Sequence, residues 1–178
     1  MDKIDEADEW YNRGVALQDK EKHEEAIVCY DNAIQLNTEN SAAPRNNKGN
    51  SLYALEKYEE AITCHDETIK LNTEDPTAWY NKGVALAKLE RDKEAIVCFD
   101  EAIRLDPPKS DEWVSRGVAL YKQEKYEEAI ACYDEAIKLN PEDSDVRYGK
   151  GYTLKKLGID EEAEQCFAKA KELDESYK

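Results

Sequence analysis

The chain has 178 residues, room for one folded unit of ordinary size. Its 41 acidic residues against 25 basic ones give a net charge of −16, a field that opposes phosphate backbones and anionic lipid and argues against nucleic acid and membrane surfaces as partners. With 40% hydrophobic residues and 11 tyrosines, the composition is too rich in apolar surface for a solvating, disordered chain.

The first residues, Met1 to Asp5, carry neither a basic leader nor an apolar stretch, and no apolar run approaches the length of a membrane span. Five cysteines form no C-x-x-C pair, which speaks against a disulfide framework and a zinc site and points to a reducing, cytoplasmic compartment. No cofactor is implied. There is no Gly-rich phosphate loop, no nucleophile elbow and no metal-ligand cluster, so the sequence reads as a non-enzyme.

Internal repetition organises the chain. Gly14, Gly49, Gly83, Gly117 and Gly151 lie 35, 34, 34 and 34 residues apart, and Ala26, Ala61, Ala95, Ala129 and Ala163 keep the same intervals. Cys29, Cys64, Cys98, Cys132 and Cys166 each follow one of those alanines by three residues. Their role is therefore architectural, as small apolar side chains.

In chain order, a short lead (1–6) is followed by repeats at 7–41, 42–75, 76–109, 110–143 and 144–178. Each is read as two amphipathic helices. In the third, Trp79, Gly83 and Leu86 form one stripe and Ala95, Ile96, Phe99, Ala102 and Ile103 a second, both at i+3/i+4 spacing. Asp75-Pro76 predicts a capped helix start, and Asp106-Pro107-Pro108 and Asn140-Pro141 predict helix ends. The second repeat departs most: Arg45 stands in the Trp79 slot, His65 in the Phe99 slot and Thr68 in an alanine slot, after a lengthened loop from Asn37 to Pro44. His65 reads as a core histidine, with reduced stability expected around it. The fifth repeat puts Glu164 and Lys171 where the others have isoleucine, which predicts a self-capping second helix.

The run Trp79…Gly83…Leu86…Ala95…Phe99…Ala102…Pro107, and its counterpart Trp113…Gly117…Leu120…Ala129…Tyr133…Ala136…Pro141, resembles the tetratricopeptide repeat. The resemblance covers about residues 7 to 175. It implies an all-α fold, a right-handed solenoid of antiparallel helix pairs whose concave groove is lined by the first helices, and a role as a protein-interaction scaffold.

The groove slots implied by the resemblance carry Asn12, Asn47 and Asn81, with Asn50 nearby, flanked by Tyr11, Tyr80 and Tyr121. Asparagine amides complement both groups of a peptide backbone, so this column is expected to hold an extended peptide irrespective of its side chains; bonding between the helices themselves is the alternative. Lys88, Lys122 and Lys156 form a basic row that makes an acidic peptide or C-terminal carboxylate a candidate ligand. The carboxylate clamp that some related repeats use for chaperone tails lacks all three of its cations here. Before each repeat glycine stands Arg13, Lys48, Lys82, Arg116 or Lys150. Their stems are expected to reach Asp31, Asp66, Asp100 and Asp134, with ligand steering as the alternative. The competing function is a structural or oligomeric module that binds through its ends or convex face. The sequence does not fix the oligomeric state.

Overall fold

The computed structural model describes residues 3–37 and 41–177. Met1, Asp2, Lys178 and residues 38–40 of the lengthened loop before the second repeat lie outside the described residues. Ten α-helices and no strands occur among the described residues: α1 (Lys3–Gln18), α2 (His23–Leu36), α3 (Ala42–Ala54), α4 (Tyr58–Leu71), α5 (Pro76–Lys88), α6 (Asp92–Leu105), α7 (Ser110–Lys122), α8 (Tyr126–Leu139), α9 (Ser144–Lys156) and α10 (Asp160–Leu173). None is long and apolar enough to cross a membrane. Two compact units divide the chain, Met1–Glu90 and Arg91–Lys178.

Local chemistry sets the helix boundaries. Asp75 caps α5 by accepting from the backbone N–H of Thr77 and Ala78, with Pro76 as the first helical residue. Asp143 caps α9 in the same way, through Val146 N–H. The Leu-Asp and Leu-Asn pairs at 105–106 and 139–140 end α6 and α8. Pro44, read from the sequence as part of the loop, instead lies in the first turn of α3. The correction has a simple cause: first-turn N–H groups take no part in the helical ladder, so proline is tolerated there.

The turns inside the pairs share one backbone solution. Glu21, Glu56, Glu90 and Glu124 sit at φ near +60°, and Gly158 takes that position in the last pair at φ +74°. Four of the five turns thus hold a side-chain-bearing residue in the left-handed region that glycine occupies at lower cost.

In the first unit each helix packs on its neighbours in sequence from α1 to α5, and α3 also touches α1 and α5. Ala26, Tyr30, Ala33, Leu52, Ala61 and Leu86 are buried there. In the second unit α6 to α10 pack in the same succession around Leu120, Ala129, Cys132, Tyr133, Ala136 and Val146. Within a pair the repeat glycine admits an aromatic ring. A Cβ built on Gly14 would lie 2.5 Å from Tyr30 Cε1, and one on Gly117 2.8 Å from Tyr133 Cε1. Neither buried ring has room to retreat, and Tyr30 is further held by donating its hydroxyl to Gln18 Oε1 at 2.7 Å.

The cation column before each glycine is structural. Lys48 reaches Asp31, Lys82 reaches Asp66, Arg116 reaches Asp100 and Lys150 reaches Asp134, each at 2.6 Å. Every pair ties the first helix of one repeat to the second helix of the repeat before. Arg13 lies over the Trp10 ring at 5.3 Å. These pairs are partly exposed, so each contributes well under about 1 kcal/mol and their value lies in registering successive repeats. Arg116 also donates to Cys132 Sγ at 2.9 Å. Burial raises the thiol pKa of Cys29, Cys132 and Cys166, and pushes Cys64 up to about 11, so these sulfurs are poor nucleophiles at neutral pH.

The two kinds of helical glycine differ in a measurable way. Gly14→Ala should cost about 1–2 kcal/mol because the new methyl drives into the Tyr30 ring. Gly149→Ala, whose Cβ would meet nothing closer than 3.9 Å, should stabilise by about 0.5–1 kcal/mol through helix propensity. Urea denaturation midpoints of the two variants test both signs.

Candidate functional site

A cleft in the first unit lies where α3, α4 and α5 meet. Its walls are Asn50 and Tyr53 of α3, His65 of α4, and Tyr80, Asn81 and Val84 of α5, enclosing about 200 Å³. Three residues selected from the sequence, Asn50, Tyr80 and Asn81, therefore come together in one place.

The cleft is organised by polar side chains, two of which, His65 and Asn46, stand in slots that are mostly aromatic in the other repeats. His65 is 1% exposed and its Nδ1 lies 3.1 Å from Asn46 Oδ1. That same oxygen accepts from Asn81 Nδ2 at 3.3 Å, and Asn50 Oδ1 accepts from Asn81 Nδ2 at 2.9 Å. With Asn46 Oδ1 as acceptor, His65 donates from Nδ1 as the neutral ring. Burial lowers the imidazole pKa to about 4 against a weaker opposing pull from Asp66, which agrees with that state. The closest wall is Gly49, where a Cβ would lie 2.6 Å from His65 Cε1. The smaller imidazole thus occupies the aromatic slot, with an amide oxygen accepting from its Nδ1.

The other asparagines fare differently. Asn47 Nδ2 donates to Tyr11 Oη at 3.2 Å, a link between consecutive first helices that matches the Asn81–Asn46 link one repeat later. The amide NH2 groups of Asn47 and Asn81 are thus used between helices. Asn12 is exposed on α1. Tyr11 packs beside Tyr30, ring centroids 6.1 Å apart.

In the second unit, Tyr121 packs against Tyr126 and Tyr152, with centroids at 5.4 and 6.1 Å. Lys156 stands over the Tyr152 ring at 5.7 Å. Lys122 lies 3.8 Å from Asp92 Oδ1, an atom that accepts no hydrogen bond although the Asp92 side chain is only 7% exposed. Much of the Lys122 charge is therefore offset locally. Lys88 is exposed at the end of α5 in the first unit. Among the described residues no group of three or more His, Cys, Asp or Glu is arranged to hold a metal ion.

Sequence reasoning missed Asn46 as the centre of this network. The signal was present: Asn46 takes a slot that is tyrosine in three repeats, and His65 takes one that is aromatic in all the others. Two polar departures in one repeat, on facing helices, compensate each other. The remaining departures are also satisfied, since Arg45 pairs with Glu67 at 2.9 Å and Thr68 Oγ1 donates to Cys64 O at 3.0 Å. Asp92 as the partner of Lys122 was likewise missed.

Profiles of known families match most of the chain. A TPR repeat profile covers residues 49–90 and 117–158, and tetratricopeptide repeat profiles cover 7–40, 76–108 and 144–177. The chain belongs to the tetratricopeptide repeat family. MamA from Desulfovibrio magneticus RS-1 shares its fold with a TM-score of 0.91 at 24% identity, over 97% of this chain and 97% of that one. YrrB, described as a TPR protein with an unusual peptide-binding site, aligns with a TM-score of 0.82 at 24% identity, over 93% of this chain and 84% of that one. Curated protein sequences give no match. The tetratricopeptide fold makes this chain an all-α repeat scaffold for protein–protein interaction.

The neutral His65 creates a pH dependence. In the unfolded chain an imidazole takes up its proton near pH 6.5, whereas the buried ring resists protonation down to about pH 4. Between those values the unfolded state holds the extra proton. Stability from this group is therefore full above about pH 6.5 and declines as pH falls toward 4, by up to about 3 kcal/mol. The difference between wild type and His65→Phe in urea midpoints, measured at about pH 7.5 and about pH 5, isolates this contribution; the wild type should lose more stability than the variant.

Proposed function

We propose that the chain binds an extended segment of a protein partner across the α1, α3 and α5 face of its first unit, with Asn12, Asn47 and Asn81 as the backbone-reading column. The cleft walled by Asn50, Tyr80 and Asn81 carries this reading. Its amides are held in place by the His65–Asn46 network before any ligand arrives, which lowers the ordering cost of binding. Asn81 presents its carbonyl oxygen to a peptide N–H, Asn50 its NH2 to a peptide carbonyl, and the Tyr53 and Tyr80 rings give apolar area for one side chain of the ligand. The peptide-binding site of YrrB, a protein of the same fold, supports this use of the family's scaffold.

Affinity is modest on this reading. Each ladder hydrogen bond contributes roughly 1 kcal/mol net, consistent with dissociation constants on the order of micromolar. Lys88 in the first unit is proposed as a further contact for an acidic ligand, and Tyr121, Lys122 and Lys156 are proposed as contacts for such a ligand in the second unit taken by itself, with Lys122 the weakest because of Asp92. A competing reading, association through an end or outer face, is favoured by Ile4, which is 55% exposed on α1. Light scattering over a concentration series addresses it, since self-association is required there and a monomer is expected here.

Panning a displayed library of random linear peptides on the folded chain tests the proposal. Selected peptides should bind the Asn12→Ala, Asn47→Ala, Asn81→Ala triple variant at least about tenfold more weakly, with circular dichroism confirming that the variant is folded. Peptides that bind both forms equally place the contact surface elsewhere.

A further inference from the structure

The segment after α10 turns back onto α9. Asp174 Oδ1 accepts from Ser176 N–H at 2.8 Å, a turn that redirects the chain so that Tyr177 reaches the preceding first helix. There the Tyr177 ring stacks on Tyr148, centroids 4.7 Å apart and planes 26° from parallel. Its hydroxyl donates to Asp145 Oδ1 in the first turn of α9. Tyr148 is backed by Phe167 of α10, at 5.1 Å between centroids.

This seat has a counterpart earlier in the chain. Tyr11 and Asn46 occupy the same slot as Tyr148 in their repeats, and each is engaged there by an asparagine of the next first helix, Asn47 and Asn81. On α9 the slot is met instead by a tyrosine from a short irregular segment. The surface is larger than its occupant: Tyr148 remains 41% exposed and Tyr152, one turn along α9, is 50% exposed. A ring, a backing ring and a carboxylate placed for a phenolic hydroxyl make a receptor for one kind of side chain.

We propose that the α9 face formed by Tyr148, Tyr152 and Asp145 is a docking site for a partner segment that presents a tyrosine, and that Tyr177 is its intramolecular occupant. The site lies in the second unit and stands independently of the asparagine column in the first. Tyr177 competes at the high effective concentration of a tethered group, so a partner binds only by displacing it. Binding here is gated by the segment that follows α10.

The probe is a fluorescent peptide with the sequence of residues 172–177, added to the full chain and to its Tyr177→Ala variant and followed by anisotropy. The peptide should bind Tyr177→Ala at least about tenfold more tightly than the wild type, because the seat is vacated. The same peptide with its tyrosine replaced by alanine should not bind. Asp145→Asn in the Tyr177→Ala background keeps every ring contact, removes only the carboxylate charge, and should weaken binding severalfold. Equal binding to wild type and Tyr177→Ala, no binding to the variant, or equal binding of the alanine peptide overturns the proposal. Self-association of Tyr177→Ala that the peptide does not reverse also overturns it, by making a second copy the occupant.

Discussion

A glycine beneath a ring is the contact on which the helix pairs inside each unit depend. Gly14 under Tyr30, Gly117 under Tyr133 and Gly151 under Phe167 leave no space for a methyl group, so the two helices approach as closely as the ring allows. The alanines at Ala26, Ala129 and Ala163 are fully buried on the second helices, consistent with the same close approach. Once that distance is set, the apolar stripes of neighbouring helices meet in register. Where the ring is His65 instead, the geometry survives but two nitrogens enter the core, and a polar partner becomes necessary. Asn46 supplies it. The network running on to Asn81 and Asn50 follows from that one substitution.

Electrostatics does a different task. The four Lys–Asp and Arg–Asp pairs linking each repeat to the one before add little stability apiece because they face water. Their recurrence favours one register, since each joins a fixed position of a first helix to a fixed position of the second helix before it. The same residues would otherwise be available to steer a ligand. Because their charge is spent between helices, these side chains are not free to steer one.

Much of this was legible in the sequence. The 34-residue period of glycine, alanine and cysteine carried the all-α repeat architecture, and the i+3/i+4 stripes carried the helices. The recurrence of Lys or Arg before each glycine, sixteen or seventeen residues after an aspartate, carried the ion pairs. Periodicity encodes contacts that repeat, and so it could not encode those made once. Asn46 with His65, Lys122 with Asp92, and Tyr177 on Tyr148 are each described once. For Pro44, local propensity pointed to a loop, and only the observed start of α3 put it inside a helix.

The sequence by itself therefore determined the fold class, the helix pairs and the family, because each rests on a pattern that every repeat restates. Tertiary structure decided how the individual amides and rings are used. Asn47 and Asn81 turned out to spend their donors on the preceding first helix, and the segment after α10 turned out to lie on α9. Such choices depend on distances of about 3 Å between groups more than thirty residues apart. No spacing along the chain fixes a distance of that kind until the helices are packed.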